Sequence, residues 1–291
     1  MPTASLADMG NIDVTGYLER LGLGAEPPGP AALRRLHAAH VERVPYEPLE
    51  IQLGRPTPLD PAASAARILR GRGGYCYHLN GAFSALLRAL GYQVTRHLGG
   101  VQGGQGDAPN VDRNHLALTV TGLPEDPSAS WLVDVGLGDG IHEPLPLREG
   151  TYVQGPHTYR LRPSEVAPGG WRFEHDPSGS FAGFDFAPGP AEMADFAEKH
   201  GWLSTAPESG FVRVCVLQRR DATGVDTLRA RTLNRHGAKE VIESPEDWWT
   251  AAADVFGITP AQFTTEEREL LWRKVVAQHE AHTSGDPVVA V

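Results

Sequence analysis

Residues 72–80 read Arg72-Gly-Gly-Tyr-Cys-Tyr-His-Leu-Asn80, and the chain changes character on either side of them. From within the stretch onward Leu79, Phe83, Leu86, Leu87 and Leu90 recur at helical spacing as far as Gly91. That pattern predicts an amphipathic helix with a glycine stop, its first turn at or near Cys76. Just ahead of it, Gly73-Gly74 allows the backbone to approach a ligand closely. A thiol at a helix N-terminus sits beside unpaired N–H groups and the positive end of the helix dipole. Both favour the thiolate and can bring a cysteine below its ordinary pKa of about 8.5. By position alone, Cys76 is equally an inert thiol and a nucleophile.

Upstream of this stretch the chain reads as helical. Expected helices are 14–21, running into Gly22, then 30–43 between Pro28 and Pro45, and 61–70 with Asp60 as cap and Pro61 at its first position. Downstream, from Tyr92 to about Phe186, short alternating runs replace them. Candidate strands are 92–98, 115–121, 131–135, 151–154, 158–162, 171–175 and 181–186, separated by Gly/Pro turns, which suggests an antiparallel barrel or sandwich. The glycine-rich stretch Gly99–Asn114 reads as a long mobile loop. A third part has helices at 188–200, 245–255 and 264–280 and strands at 211–218 and 226–233. Thr264 and Glu267 are spaced as a capping box. The tail 281–291 lacks periodicity and is expected to be loose. The expected division is a helical bundle at 1–91, a β-barrel at 92–187 and an α/β lid at 188–291, an α+β fold.

A chain of 291 residues is long for one core, which agrees with such a division. A formal net charge of −10 argues against a nucleic-acid partner, which would need a basic face. The N-terminal residues have neither the basic nor the apolar region of a signal peptide, and no apolar run approaches the roughly 20 residues of a membrane span. A soluble, cytoplasmic protein is expected, with both cysteines reduced. Cys215 lies in Phe211-Val-Arg-Val-Cys-Val-Leu217 and reads as a buried strand thiol. The 12 histidines are scattered and form no zinc-like cluster with cysteine, so no metal is expected. His37 and His40 read as packing or surface residues. The glycines of 99–106 have no following lysine and helix, so they are not a phosphate loop.

Two further residues bear on Cys76. His115 opens the alternating run His115-Leu-Ala-Leu-Thr-Val120, and Asp134 closes Trp131-Leu-Val-Asp-Val135. A carboxylate inside a β-rich apolar run is costly to bury unless it is paired, and an imidazole on a neighbouring strand would pair it. Such an aspartate fixes the histidine tautomer and favours the imidazolium, which in turn can hold Cys76 as thiolate. Taken singly, His115 is equally a hydrogen-bonded core histidine and Asp134 a turn-capping carboxylate.

Arg72-Gly-Gly-Tyr-Cys-Tyr-His-Leu-Asn80, Asn114-His115-Leu and Asp134-Val-Gly-Leu-Gly138 occur in the order seen in the arylamine N-acetyltransferases, and the chain resembles that family over about residues 15–260. Leu36-His-Ala-Ala-His40 with Val44-Pro-Tyr-Glu-Pro-Leu49 looks like its N-terminal segment. Ser204-Thr-Ala-Pro-Glu-Ser-Gly-Phe211 looks like its serine-proline-serine-phenylalanine segment. The resemblance implies a helical bundle, an antiparallel β-barrel and an α/β lid around a cysteine-protease- or transglutaminase-like core. It also implies a ping-pong reaction: a Cys76 thiolate takes the acetyl group of acetyl-CoA, and an arylamine, N-hydroxyarylamine or hydrazine then removes it. By the same resemblance Tyr46, Leu137 and Phe211 line the acceptor pocket and Gly138 lies near bound CoA. Arg20, Glu47 and Arg72 match an ion cluster that braces the bundle against the catalytic loop.

The departures are local. The family commonly has phenylalanine where Tyr46 and Leu137 stand, and often glutamate and histidine or glutamine where His78 and Leu79 stand. Losing an aromatic at Leu137 removes a stacking surface. The resemblance extends to relatives that use the same triad to form amides from polyketide thioesters, so an amide synthase that joins a larger, polyketide-type acyl thioester to an amine is the near alternative. A cysteine hydrolase, with water as acceptor, is the distant one. His78 should point away from the Cys76 face of the helix and is read as non-catalytic.

Overall fold

The computed structural model describes residues 12–283; residues 1–11 and most of the aperiodic tail, 284–291, lie outside the described residues. Among the described residues five helices come first: α1 (Val14–Leu21), α2 (Pro30–Arg43), α3 (Leu49–Gln52), α4 (Pro61–Leu69) and α5 (Cys76–Ala89). Their ends follow local chemistry. The Asp60 carboxylate accepts from the Ala63 N–H at 2.7 Å, ahead of Pro61. Gly22 closes α1 with φ of 64°, a left-handed conformation that costs glycine little. Helix α5 departs from the amphipathic expectation, because every residue from Cys76 to Leu87 is buried. It lies between α1 and α4 on one side and the first two strands on the other.

Those strands belong to an eight-stranded antiparallel sheet. It comprises β1 (Gln93–Gln102), β2 (His115–Leu123), β3 (Asp126–Val133), β4 (Leu145–Pro146), β5 (Gly150–Gln154), β6 (His157–Pro163), β7 (Trp171–Glu174) and β8 (Gly183–Phe186). The order is β4-β3-β2-β1-β8-β7-β6-β5, and the sheet curls into a nearly closed barrel. Strand β1 runs further than expected, into the glycine-rich stretch. Gly99 pairs with His115 on one side and Phe186 on the other. A Cβ at Gly100 would stand 2.2 Å from the Asn110 side chain, so the glycine lets the rest of that stretch fold back on the strand. Strand β2 is buried on both faces. Leu116, Leu118 and Val120 join the core around α5, while Ala117 faces the barrel interior with Leu132, Phe173 and Phe184.

The remainder holds a short 3₁₀ turn at Met193–Phe196, α6 (Ala197–Thr205), α7 (Gly210–Arg213), α8 (Pro245–Phe256) and α9 (Thr265–Thr283). It also holds a four-stranded sheet of β9 (Val216–Arg220), β10 (Val225–Arg229), β11 (Thr232–Arg235) and β12 (Ala238–Val241). Two expected strands are corrected here. The run 211–218 begins as a helical turn because the Ser209 hydroxyl caps it, accepting from the Phe211 N–H. The run 226–233 breaks in two at Ala230, whose φ is 50°. The cores also cross the expected boundaries. Phe196, Leu203 and Phe211 pack into the core of the helical bundle, and Leu49 packs into the core around Trp248.

Candidate active site

The glycine pair before Cys76 has a concrete reason. A Cβ at Gly73 would lie 1.7 Å from the Pro45 carbonyl oxygen, and one at Gly74 would lie 2.6 Å from His78 Cβ. The segment therefore runs flat against residues 45–47, where the Glu47 N–H donates to the Gly74 carbonyl at 2.9 Å. Tyr75 is the extended residue before the helix, and Cys76 opens α5. The thiol lies 3.6 Å from the Asn114 carbonyl oxygen. Cys76 is only 5% exposed, and that small opening faces a cavity of about 990 Å³.

His115 lies next to Asn114 on the same cavity wall. Its Nε2 stands 2.6 Å from Oδ2 of Asp134, and both side chains are buried. Its Nδ1 is buried on the side of Cys76 and has no nitrogen or oxygen partner among the described residues. Burial alone would lower the histidine pKa. The opposing attraction of Asp134, followed by the interaction with Cys76, pushes it up to about 10. Cys76, His115 and Asp134 are thus brought together. The second Asp134 oxygen accepts from Asn80 Nδ2 and from the Gly136 N–H, each at 2.9 Å.

Asn80 is a functional residue that spacing alone did not single out. It lies one turn beyond Cys76 on α5, so the helix that carries the thiol also clamps the carboxylate. The same amide donates to the Leu116 carbonyl at 2.6 Å and accepts from the Val135 N–H at 2.9 Å, tying β2 to the segment after β3. His37 braces the far side. Its Nε2 accepts from the Asp134 N–H at 3.2 Å, and its Nδ1–H donates to the His142 carbonyl at 2.9 Å. Both bonds suit a neutral ring, and burial lowers its pKa to about 4. His37 and His40 are both core residues. His78 hydrogen-bonds Thr57 through Nε2 at 2.8 Å and belongs to an aromatic cluster with Tyr75 and His200.

Tyr46, Leu137 and Phe211 all border the cavity, and the Tyr46 and Phe211 rings are 6.4 Å apart. Tyr46 is held by main-chain bonds to Gln218 in β9. Gly138 packs against the same glutamine; a Cβ there would lie 2.2 Å from Gln218 Oε1. The ion cluster differs from expectation in one member. Glu47 accepts from Arg72 at 3.1 Å and 3.2 Å, from Arg67 at 2.9 Å, and from the Gly73 and Leu49 N–H groups. Arg20 is not part of it. It donates instead to the Arg43 carbonyl at 2.6 Å, because the end of α1 lies against the end of α2. Arg67, on the last turn of α4, takes the place expected of Arg20.

A family model described as N-acetyltransferase matches residues 31–261. The chain is 32% identical over 278 residues to the arylamine N-acetyltransferase of Mycolicibacterium smegmatis, covering 92% of this chain and 97% of that protein. It is 33% identical over 164 residues to the proansamycin X synthase of Amycolatopsis mediterranei, covering 54% of this chain and 61% of that one. The fold superposes on the structure of Mycobacterium marinum arylamine N-acetyltransferase in complex with CoA, with a TM-score of 0.79 at 31% identity, over 90% of this chain and 98% of that chain. A thiol at the head of a buried helix, a histidine–aspartate pair behind it and these likenesses along most of the chain agree: the protein belongs to the arylamine N-acetyltransferase family.

Proposed function

We propose that the protein transfers an acetyl group from acetyl-CoA, through a thioester on Cys76, to an arylamine, N-hydroxyarylamine or hydrazine. The observation that carries this reading is the position of Cys76 on the cavity wall, beside a His115 ring whose charged form Asp134 stabilises at 2.6 Å. In the first half-reaction the Cys76 sulfur attacks the acetyl carbonyl carbon. The N–H groups at the start of α5, including that of Cys76, hold the oxyanion. The carbon–sulfur bond to CoA breaks, and the leaving thiolate takes a proton from the His115 imidazolium. In the second, the amine attacks the thioester, His115 takes its proton, and Cys76 leaves as thiolate. An arylamine suits this step because it is weakly basic and reaches the site uncharged.

Acetyl-CoA supplied with an arylamine or hydrazine should release free CoA and give the acetylated amine in equal amounts. Cys76→Ser should abolish both while leaving the fold intact. Absence of CoA release, with turnover of a bulky acyl thioester, would sink this reading. That outcome would favour an amide synthase, a reading supported by the proansamycin X synthase relative and by Leu137 on the cavity wall. Loss of the acyl group to water at full rate without any amine would identify a hydrolase.

A further inference from the structure

Tyr46 is 9% exposed and stands on the cavity wall with Cys76. Main-chain contacts fix it on two sides. Its N–H and its carbonyl pair with Gln218 of β9, each at 3.0 Å, and it bridges to Gly74, two residues before the nucleophile. Its hydroxyl makes no hydrogen bond among the described residues, and it is not one of their sealed, unpartnered polar atoms, so the oxygen is accessible. Burial, then the negative charges of Cys76 and Asp139, holds the phenol well above its usual pKa of about 10. Both charged neighbours line the cavity, and Cys76 acts the more strongly of the two. The hydroxyl therefore opens into the cavity on the side of the sulfur. It stays protonated at neutral pH, ready to donate to an anion.

Two anionic atoms form beside it during acyl transfer: the thiolate sulfur and the oxygen of the tetrahedral intermediate. The sulfur already has a partner, because His115 approaches it from β2 and carries the compensating charge. Tyr46 comes from the β9 side instead. As the sulfur bonds to the acyl carbon, the carbonyl π pair moves onto the oxygen. That oxygen is two bonds from the sulfur, within reach of a donor that stands beside the sulfur. The Tyr46 O–H donates a hydrogen bond there and keeps its proton. Collapse of the intermediate returns the pair to the C=O bond and expels the CoA thiolate. A donor already held in place strengthens as charge develops and costs no reorganisation at that moment.

We propose that Tyr46 is a further catalytic residue, whose hydroxyl donates to the acyl oxygen as it becomes an oxyanion and so serves both half-reactions alongside the N–H groups of α5. This rests on the acyl-transfer reading through Cys76. The test compares the wild type with Tyr46→Phe, which removes the donor and keeps the ring. Acylation is read without amine, as the burst of free CoA from acetyl-CoA and of nitrophenolate from para-nitrophenyl acetate. Both bursts should slow roughly tenfold or more; the main-chain N–H groups remain, so the loss is partial. Transfer from the acetyl-enzyme to a saturating arylamine should slow by a similar factor. Alkylation of Cys76 by iodoacetamide forms no oxyanion and should keep its wild-type rate. Bursts at the wild-type rate overturn the proposal. So does an equal slowing of alkylation, which would put the hydroxyl on the thiolate, and so does an effect confined to KM for the amine, which would make it an acceptor contact. If neither donor acylates the wild-type protein, the acyl-transfer reading itself fails and the proposal falls with it.

Discussion

Nε2 of His115 and Oδ2 of Asp134 face each other at 2.6 Å inside the protein, one at the first residue of β2 and the other just past the end of β3. The pair makes stability depend on pH. The folded pKa of His115, about 10, lies above its unfolded value of about 6.5. Between those values the folded state binds the extra proton, so this stabilisation is complete below about pH 6.5 and is lost as pH rises toward about 10. His37, near 4, and His40 and His78, near 3, shift the other way through burial. Their contribution is present above about 6.5 and is lost as pH falls toward those values. Urea midpoints measured across pH should therefore decline on both sides of neutrality. Asp134→Asn should flatten the alkaline side and leave the acid side. An unchanged alkaline slope in that variant would refute the linkage.

The two cysteines should differ in reactivity. Cys215 is buried, and burial pushes its thiol up to about 12. Cys76 opens onto the cavity beside His115. Iodoacetamide at pH 7 is expected to modify Cys76 at least about a hundredfold faster than Cys215. Peptide mapping by mass spectrometry reads the ratio, and equal labelling would count against an activated thiol.

Substitutions in the ion cluster should rank by burial. Glu47 is 1% exposed and binds two guanidinium groups and two main-chain N–H groups. Glu47→Ala leaves the buried Arg72 with Glu50, at 2.9 Å, as its remaining counter-charge and strips two main-chain N–H groups of their acceptor, a loss on the order of 3 kcal/mol. Arg20→Ala removes a single bond to a carbonyl and should cost about 1 kcal/mol or less. Denaturant midpoints that rank the two the other way would restore Arg20 to the cluster.

Leu137→Phe tests what sets the width of the cavity. The added ring narrows the space beside Tyr46 and offers a stacking surface, worth roughly 0.5–1.5 kcal/mol for an aromatic pair. The kcat/KM for a simple arylamine should rise roughly two- to tenfold, while a bulky acyl thioester should become a poorer donor. Competition assays with both substrate types decide it; a parallel change in both would show that this side chain does not control width.

The elements that were legible in the sequence are those that short-range chemistry determines. Asp60 and Pro61 start α4, and Thr264 and Glu267 form the expected reciprocal cap, with the Thr264 N–H donating to Glu267 at 2.9 Å. Strand β2 was legible from the short apolar run Leu116-Ala-Leu-Thr-Val120, which suits a strand whose two faces both meet apolar surroundings. The run 211–218 was misread because its apolar pattern suits a strand while one serine cap decides its first turn. Arg67 was missed because its ordinary helical position says nothing of the Glu47 carboxylate across the bundle. Asn80 was quoted for its motif, but its partners lie on two segments far along the chain.

That a helix begins at Cys76, with only Tyr75 between it and Gly73-Gly74, follows from local sequence. That outcome depends on near neighbours: steric freedom at Gly73 and Gly74, then helical periodicity. Tertiary structure alone decided what the thiol faces. His115 and Asp134 meet because β2 and β3 pair in one register, Leu118 opposite Val133, with Asp134 the next residue. A one-residue slip would turn every side chain of a strand to its other face and separate the pair. That register is set by packing against α5 and the barrel interior together, which no local pattern contains.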